Sequence, residues 1–216
     1  MAKRIFITAT NTDIGKTYTT KLLMQELTKL GFRVGVIKPI ETGVVDDVYP
    51  DGEVLLELLK QCNPLAWSLN VEDIVPISFP LPAAPYIASG FQTLNYEKIE
   101  EAIMQQEAFC DILLIEGAGG LFVPIDQHTM MIDLITKFSA SALLVTHCSL
   151  GCINDTLLHK KALDERGITN RVVFNCKAHQ QEGFEKISLP YFQKVFSEIF
   201  TTKQSEKLAI ITSLLE

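Results

Sequence analysis

The 216-residue sequence predicts an α/β fold, a parallel sheet with helices on both faces, and three observations carry that expectation. Short β-branched and aliphatic runs alternate with segments whose leucines recur at helical spacing. The strand-like runs, Ile112-Leu113-Leu114-Ile115 among them, are continuously apolar, as strands buried on both faces are. With 47% apolar residues the chain has enough hydrophobic mass for one well-cored domain, expected over residues 1–216.

The first element sets the frame. Ile5 to Ala9 reads as a buried strand, and Tyr18 to Leu30 as a helix with Leu22, Leu23, Leu27 and Leu30 on its apolar side. Between them lies Gly15-Lys16-Thr17. Backbone N–H groups at this helix start, with the positive end of the helix dipole, point at an anion, and Gly15 admits it closely. Lys16 can reach the β- and γ-phosphates and the Thr17 hydroxyl can hold magnesium. Strand, loop and helix in this order specify the P-loop NTPase type of sheet, although neither Ala9 nor Thr10 supplies the usual leading glycine.

Gly31 ends the helix, and Val34 to Ile37 form a second strand stopping at Lys38-Pro39, beside the P-loop strand. Residues 38–43 are expected as a loop at the carboxyl end of that strand, where open α/β sheets bind ligands. Gly52 to Lys60 reads as a helix for which Asp51 is a plausible N-cap. Five prolines between Pro64 and Pro85 exclude a long helix, leave Ile74 to Phe79 as a short strand, and make Phe79 to Pro85 a stiff apolar wall. Asn95 caps a helix over Tyr96 to Gln106. A buried strand then ends in Glu116-Gly117-Ala118-Gly119-Gly120, an acid followed by a backbone that must pass close to something. In P-loop proteins an acid at this place serves magnesium.

Met131 to Phe138 is expected as a helix and Ser141 to Thr146 as a strand. A second helix start with exposed N–H groups follows at Gly151, its helix running to about Glu165. Arg171 to Asn175 is a further strand, Leu189 to Phe200 a helix with Phe192, Val195, Phe196 and Ile199 inward, and Leu208 to Thr212 a last edge strand. The ligand-facing loops of this alternation gather at one edge of the sheet: 10–17, 38–43, 116–120, 147–154 and 175–176.

Composition excludes several classes. A net charge of −7 argues against nucleic acid as a general partner. The start lacks a signal-peptide core, and no apolar run approaches a membrane span, so a soluble cytoplasmic protein is expected. Five cysteines, odd in number and without C-x-x-C, point to reduced thiols, and the four histidines form no ligand spacing.

The run Thr10-Asn11-Thr12-Asp13-Ile14-Gly15-Lys16-Thr17, Lys38-Pro39 with Thr42-Gly43, Glu116 to Gly120 and Leu150-Gly151-Cys152-Ile153-Asn154 occur in an order and spacing that resemble the dethiobiotin synthetases, over roughly residues 1–176. The resemblance implies an ATP-dependent cyclo-ligase of biotin synthesis. Carbon dioxide is taken up on one amine of 7,8-diaminopelargonic acid as a carbamate, the γ-phosphoryl group is transferred to it, and the second amine closes the cyclic urea. By the family's pattern Asp13, Ile14, Gly15, Lys16, Thr17 and Tyr18, with Glu116, Gly117, Ala118 and Gly119, would bind ATP, and Asn175 and Cys176 would border its base. Lys16 and Lys38 would be catalytic, and Thr17, Glu116 and Asp51 or Glu53, with Asp51 preferred, would position Mg2+. Thr42 and Gly119 would meet the diamine end. Leu150, Gly151, Cys152, Ile153 and Asn154 would take the distant carboxylate from the neighbouring subunit of a homodimer. Cys176 in place of the family's usual aspartate, and a tail without its proline-aromatic segment, imply weak base discrimination. A septum-positioning or partition-type switch ATPase is the rival, but it carries a lysine five residues before Lys16, where this chain has Asn11.

Overall fold

The computed structural model of the chain describes residues 2–203 and 207–215. Six strands form one parallel sheet: β1 (Lys3–Ala9), β2 (Val34–Ile37), β5 (Ile112–Gly120), β6 (Ser141–His147), β7 (Asn170–Asn175) and β8 (Phe200–Thr201), in the order β2-β5-β1-β6-β7-β8. Two short strands, β3 (Ile40–Thr42) and β4 (Ile77–Phe79), pair in parallel as a second sheet.

Side chains alternate across a strand, so each strand of the main sheet feeds two cores. Ile5, Ile7, Leu114, Leu143 and Val173 face one side, where they meet Leu23, Met24 and Leu27 of α1 (Lys16–Lys29), Leu55 and Leu59 of α2 (Gly52–Cys62), and Ile210, Ile211 and Leu214 of α10 (Lys207–Leu215). Phe6, Leu113, Ile115, Leu144 and Phe174 face the other. There they pack on α5 (Tyr96–Glu107), α6 (Met131–Lys137), α7 (Cys152–Glu165) and the aromatic group Phe184 and Phe192. Each fully buried large side chain contributes on the order of 1.5–3 kcal/mol. Helices on both faces of a parallel sheet are therefore what the continuous apolar runs required. Among the described residues no helix is long and apolar enough to cross a membrane.

The structure corrects several expectations. β2 does not lie beside β1; β5 stands between them, so Lys38 and the phosphate loop are separated by the strand that carries Glu116. Residues 38–43 are not simply a loop, because Ile40–Thr42 pairs with Ile77–Phe79, and Val71–Ile74 is a helical turn (α3) rather than the start of that strand. The glycines after Glu116 belong to β5 itself. Ile7 opposes Glu116 while Ala9 opposes Gly120, so the strand bulges there.

Near the end, a helical stretch made of Gln181–Gly183 (α8), a π turn over Phe184–Ser188 and Leu189–Val195 (α9) stops before Phe196, which is extended. Val195 is 47% exposed, not inward. The tail is helical over Lys207–Leu215 because Ile210, Ile211 and Leu214 recur on one face against α1 and α2, while the sheet edge is taken by Phe200–Thr201. Cys148 and Cys176 form a disulfide, against the expectation of reduced thiols. Parallel pairing sets His147 opposite Asn175, so the next residue of each strand arrives side by side, a contact that spacing along the chain cannot reveal.

Candidate active site

The loop between β1 and α1 begins the site. Gly15 caps α1 at φ 100°, a left-handed conformation that suits glycine, and a Cβ there would lie 2.1 Å from Asn175 Nδ2. The Asn175 amide donates to the Ile14 carbonyl at 2.8 Å and its oxygen accepts from the Thr202 hydroxyl at 2.8 Å, so β7 braces the loop from the far side. Lys16, only 8% exposed, has no carboxylate partner among the described residues and lies 3.5 Å from the Asn11 carbonyl. Burial lowers its pKa, and the nearby Lys38 lowers it further against the pull of Glu116, Asp51 and Asp13.

Glu116, fully buried at the bulge of β5, accepts from the hydroxyls of Thr17 at 2.8 Å and Thr20 at 2.6 Å. Thr17 also lies 3.0 Å from Asp51 Oδ1. The Lys38 ammonium, 4% exposed, bridges the two acids: it bonds Asp51 and lies 3.1 Å from Glu116 Oε1. Burial alone would lower its pKa, but Glu116, Asp51 and Glu41 outweigh burial and raise it, so Lys38 stays a cation across the physiological range. Asp51 answers in kind: burial pushes its carboxyl up, while Lys38 and the Thr17 hydroxyl more than reverse that and lower it.

Asp51 sits at the N-cap position of α2 but makes no side-chain cap bond, which corrects the capping reading of that residue. Glu53 is exposed and lies away from the two lysines, lining no part of the cavity between them. Of the two acids weighed, Asp51 is the one in the site. Two carboxylates and a hydroxyl are hard oxygen donors that fit a magnesium ion completing its shell with phosphate oxygens and water. Among the described residues no group of three His, Cys, Asp or Glu is arranged to hold a metal unaided.

Lys16, Thr17, Lys38 and Asp51 line a cavity of about 640 Å3 together with Asp13, Thr42, Ala118, Gly119 and the Pro82-Ala83-Ala84-Pro85 wall. A second cavity, of about 600 Å3, opens at the opposite edge, where Arg4 and Arg166 are already held by Glu107 and Asp133. It offers no acid–lysine constellation. Tyr18 is exposed beside the loop, and Gly117 is packed so tightly that a Cβ would meet Phe6 at 2.8 Å.

The segment Leu150 to Asn154 follows β6 to the same edge but does not line the cavity. Gly151 caps α7 at φ 96°, and Leu150 beside it is 95% exposed. Cys152 is buried and Ile153 half-buried against the core, while Asn154 is 3.2 Å from Asp155. His147 holds the turn through Ser149 at 2.5 Å and Asp155 at 2.9 Å. Sequence reasoning missed Thr20, three residues after Thr17 on the same helix face, and Glu41, an acid inside an otherwise ligand-bearing run.

A phosphate loop at the switch from β1 to α1, two buried lysines and two facing acids define a P-loop nucleotide-binding protein, and a family model described as an AAA domain matches residues 3–214. The ATP-dependent dethiobiotin synthetase BioD of Sulfurovum sp. (strain NBC37-1) is 44% identical over 206 residues, 95% of this chain and 97% of that one, and that of Methanocaldococcus jannaschii is 36% identical over 216 residues, 97% and 94% of the two chains. The chain belongs to the ATP-dependent dethiobiotin synthetase family. In fold alone it is similar to the solved MinD cell division protein of Aquifex aeolicus, with a TM-score of 0.52, 18% identity and coverage of 100% of this chain and 88% of that one. A plasmid partition protein from Borrelia burgdorferi aligns with a TM-score of 0.58 at 11% identity, covering 98% of both chains.

Proposed function

We propose that this protein closes the cyclic urea of dethiobiotin from 7,8-diaminopelargonic acid, carbon dioxide and ATP, as a single P-loop domain over residues 1–216. The observation that carries the reading is the buried Lys38 ammonium bridging Asp51 and Glu116 at the end of the cavity that Lys16 and Gly15 open. Every step of the reaction creates or moves negative charge, so fixed cations and N–H donors are what a catalyst must supply.

The loop amides from Gly15 to Thr17 and the Lys16 ammonium grip the β- and γ-phosphates. Lys38 faces the carbamate and the phosphoryl group in transfer. Because its pKa is raised, it acts as a permanent positive charge and not as a base. Thr42 and Gly119 border the diamine end. Thr17, Asp51 and Glu116 would hold magnesium, which neutralises phosphate charge when bound. Leu150 to Asn154 serve the substrate carboxylate of the neighbouring subunit in a cytoplasmic homodimer; a bare Leu150 beside a glycine-capped helix start, outside its own cavity, supports that division. Base discrimination is weak, because the Asn175 amide already serves Ile14 and Thr202 and Cys176 replaces an acid.

The reading is tested by phosphate release. Release should require both the diamine and bicarbonate, with dethiobiotin detected by mass. Release from ATP alone at the same rate would move the protein to the switch-ATPase reading, which Asn11 does not favour, since its side chain is spent on the Thr12 amide. Lys38→Ala should lower turnover by roughly 10²–10³ with nucleotide binding retained. Titration with ATP and GTP checks the base: affinities within about tenfold of one another are expected, a difference of no more than ~1.4 kcal/mol.

A further inference from the structure

One buried carboxylate in the site has no part in the reaction. Glu41 lies on β3 between Lys38 and Thr42, is 2% exposed, and forms no ion pair among the described residues. Its two oxygens accept from the backbone N–H of Asp51 at 2.6 Å and of Gly52 at 3.0 Å.

Those amides belong to the first turn of α2, whose N–H groups have no partner within the helix. The N-cap side chain ordinarily takes the N–H of the second or third helical residue, leaving its own amide and the next one to other acceptors. Asp51 occupies the N-cap place, yet its carboxylate points to Lys38 and Thr17, and its own amide and that of Gly52 are taken by Glu41 from β3. This arrangement has a cost: a third carboxylate is buried beside Asp51 and Lys38, where burial raises the Glu41 pKa against the two amide bonds and Lys38. As the N-cap residue Asp51 does not serve these two amides itself, so an acceptor from another segment fixes the turn that carries its carboxylate. Gly52 belongs to the same arrangement, since a Cβ there would lie 2.9 Å from Glu41 Oε2 and 2.7 Å from Val75 Cγ2.

We propose that Glu41 is a positioning residue: it seats the Asp51–Gly52 amides so that the Asp51 carboxylate stays free and correctly placed for the metal that accompanies the nucleotide. This rests on the assignment of Asp51 to the metal in the proposed reaction. Glutamate suits the task because both its oxygens accept. Glutamine offers one acceptor and turns an NH2 donor toward the second amide.

The test is Mn2+ binding, followed by electron paramagnetic resonance with a non-hydrolysable ATP analogue, beside nucleotide affinity in EDTA and thermal unfolding. Glu41→Gln should weaken Mn2+ about 10–100-fold, the usual effect of removing a group that orients a metal ligand, with nucleotide affinity in EDTA changed less than about twofold. Gly52→Ala, which presses on Glu41 Oε2 without altering any charge, should weaken Mn2+ in the same direction and stands in if Glu41→Gln does not fold. Lowered stability with Mn2+ affinity unchanged would make Glu41 a structural cap only and overturn the proposal. Asp51→Asn run in parallel separates the premises. If it too leaves Mn2+ binding intact, the metal role of Asp51 and the proposal fall together, while the diamine dependence of phosphate release still judges the ligase reading.

Discussion

Two helices in this molecule start the same way and do different work. α1 and α7 each follow a strand of the main sheet, and each begins at a glycine with φ near 100° and no side-chain cap. At α1 the bare N–H groups open on a cavity lined by Lys16, Lys38 and Asp51, with Glu116 buried behind Thr17 and Asn175 bracing the loop. At α7 the surroundings include an exposed Leu150 and a His147–Asp155 pair, and the segment lines no part of the cavity that holds the two lysines. The backbone device is common to both; its surroundings decide how much charge it can hold. A site for a triphosphate needs cations gathered from several strands, whereas a site for one carboxylate needs little beyond the amides and a wall.

The largest effect expected from this contrast is at Gly15. A methyl there combines a disfavoured φ with a 2.1 Å approach to Asn175, so Gly15→Ala should lower nucleotide affinity by roughly 100-fold or more. A Cβ on Gly151 meets nothing within 4 Å, leaving only the backbone strain of about 1–2 kcal/mol. Gly151→Ala should therefore raise the diamine KM by about 5–30-fold and leave nucleotide binding alone, and calorimetry on both variants checks the pair. Equal losses of nucleotide affinity would erase the distinction.

A smaller but more discriminating effect comes from mixing inactive variants. On the proposed reading, in which the site is built across a dimer, Lys38→Ala and Gly151→Asp would disable opposite halves of it. Co-refolded in equal amounts, they should recover about a quarter of wild-type activity, since half of random dimers are mixed and each mixed dimer holds one intact site of two. No recovery would return Leu150 to Asn154 to their own chain's site.

The smallest effect is a proton. In the free protein burial holds the Lys16 pKa below its ordinary 10.5, and a bound triphosphate should raise it again. The complex then binds more protons than the free protein, so ATP binding takes up a fraction of a proton on the alkaline side, between the lowered pKa and that of the complex. Affinity falls as pH rises through this window. Calorimetry in buffers of different ionisation enthalpy measures the uptake. On the proposed reading the diamine carboxylate meets backbone amides at the start of α7, and its binding should show no such uptake.

Much of the site was legible because its signals are local. Gly15, Lys16 and Thr17 are contiguous, Lys38 closes an apolar run of four, and Glu116 ends another. Residue types alone gave Asp51 only as a cap, since a short acid before a helix looks the same whether its side chain turns inward or away; the family's pattern was what offered it, beside Glu53, to the metal. Thr20 and Glu41 went unread because nothing nearby in the chain announces their partners, which lie 96 and 10 residues distant.

By itself the sequence determined the alternation of strands and helices, the two-sided burial of the sheet and the phosphate loop, because each follows from residue types a few positions apart. Only the tertiary structure decided that β5 lies between β1 and β2, that Cys148 meets Cys176, that the tail packs as a helix, and that Glu41 takes the Asp51 and Gly52 amides while the Asp51 carboxylate faces Lys38. Those outcomes depend on which distant segments pair and in what register, and strand pairing and burial are properties of the assembled sheet that no single stretch of chain contains.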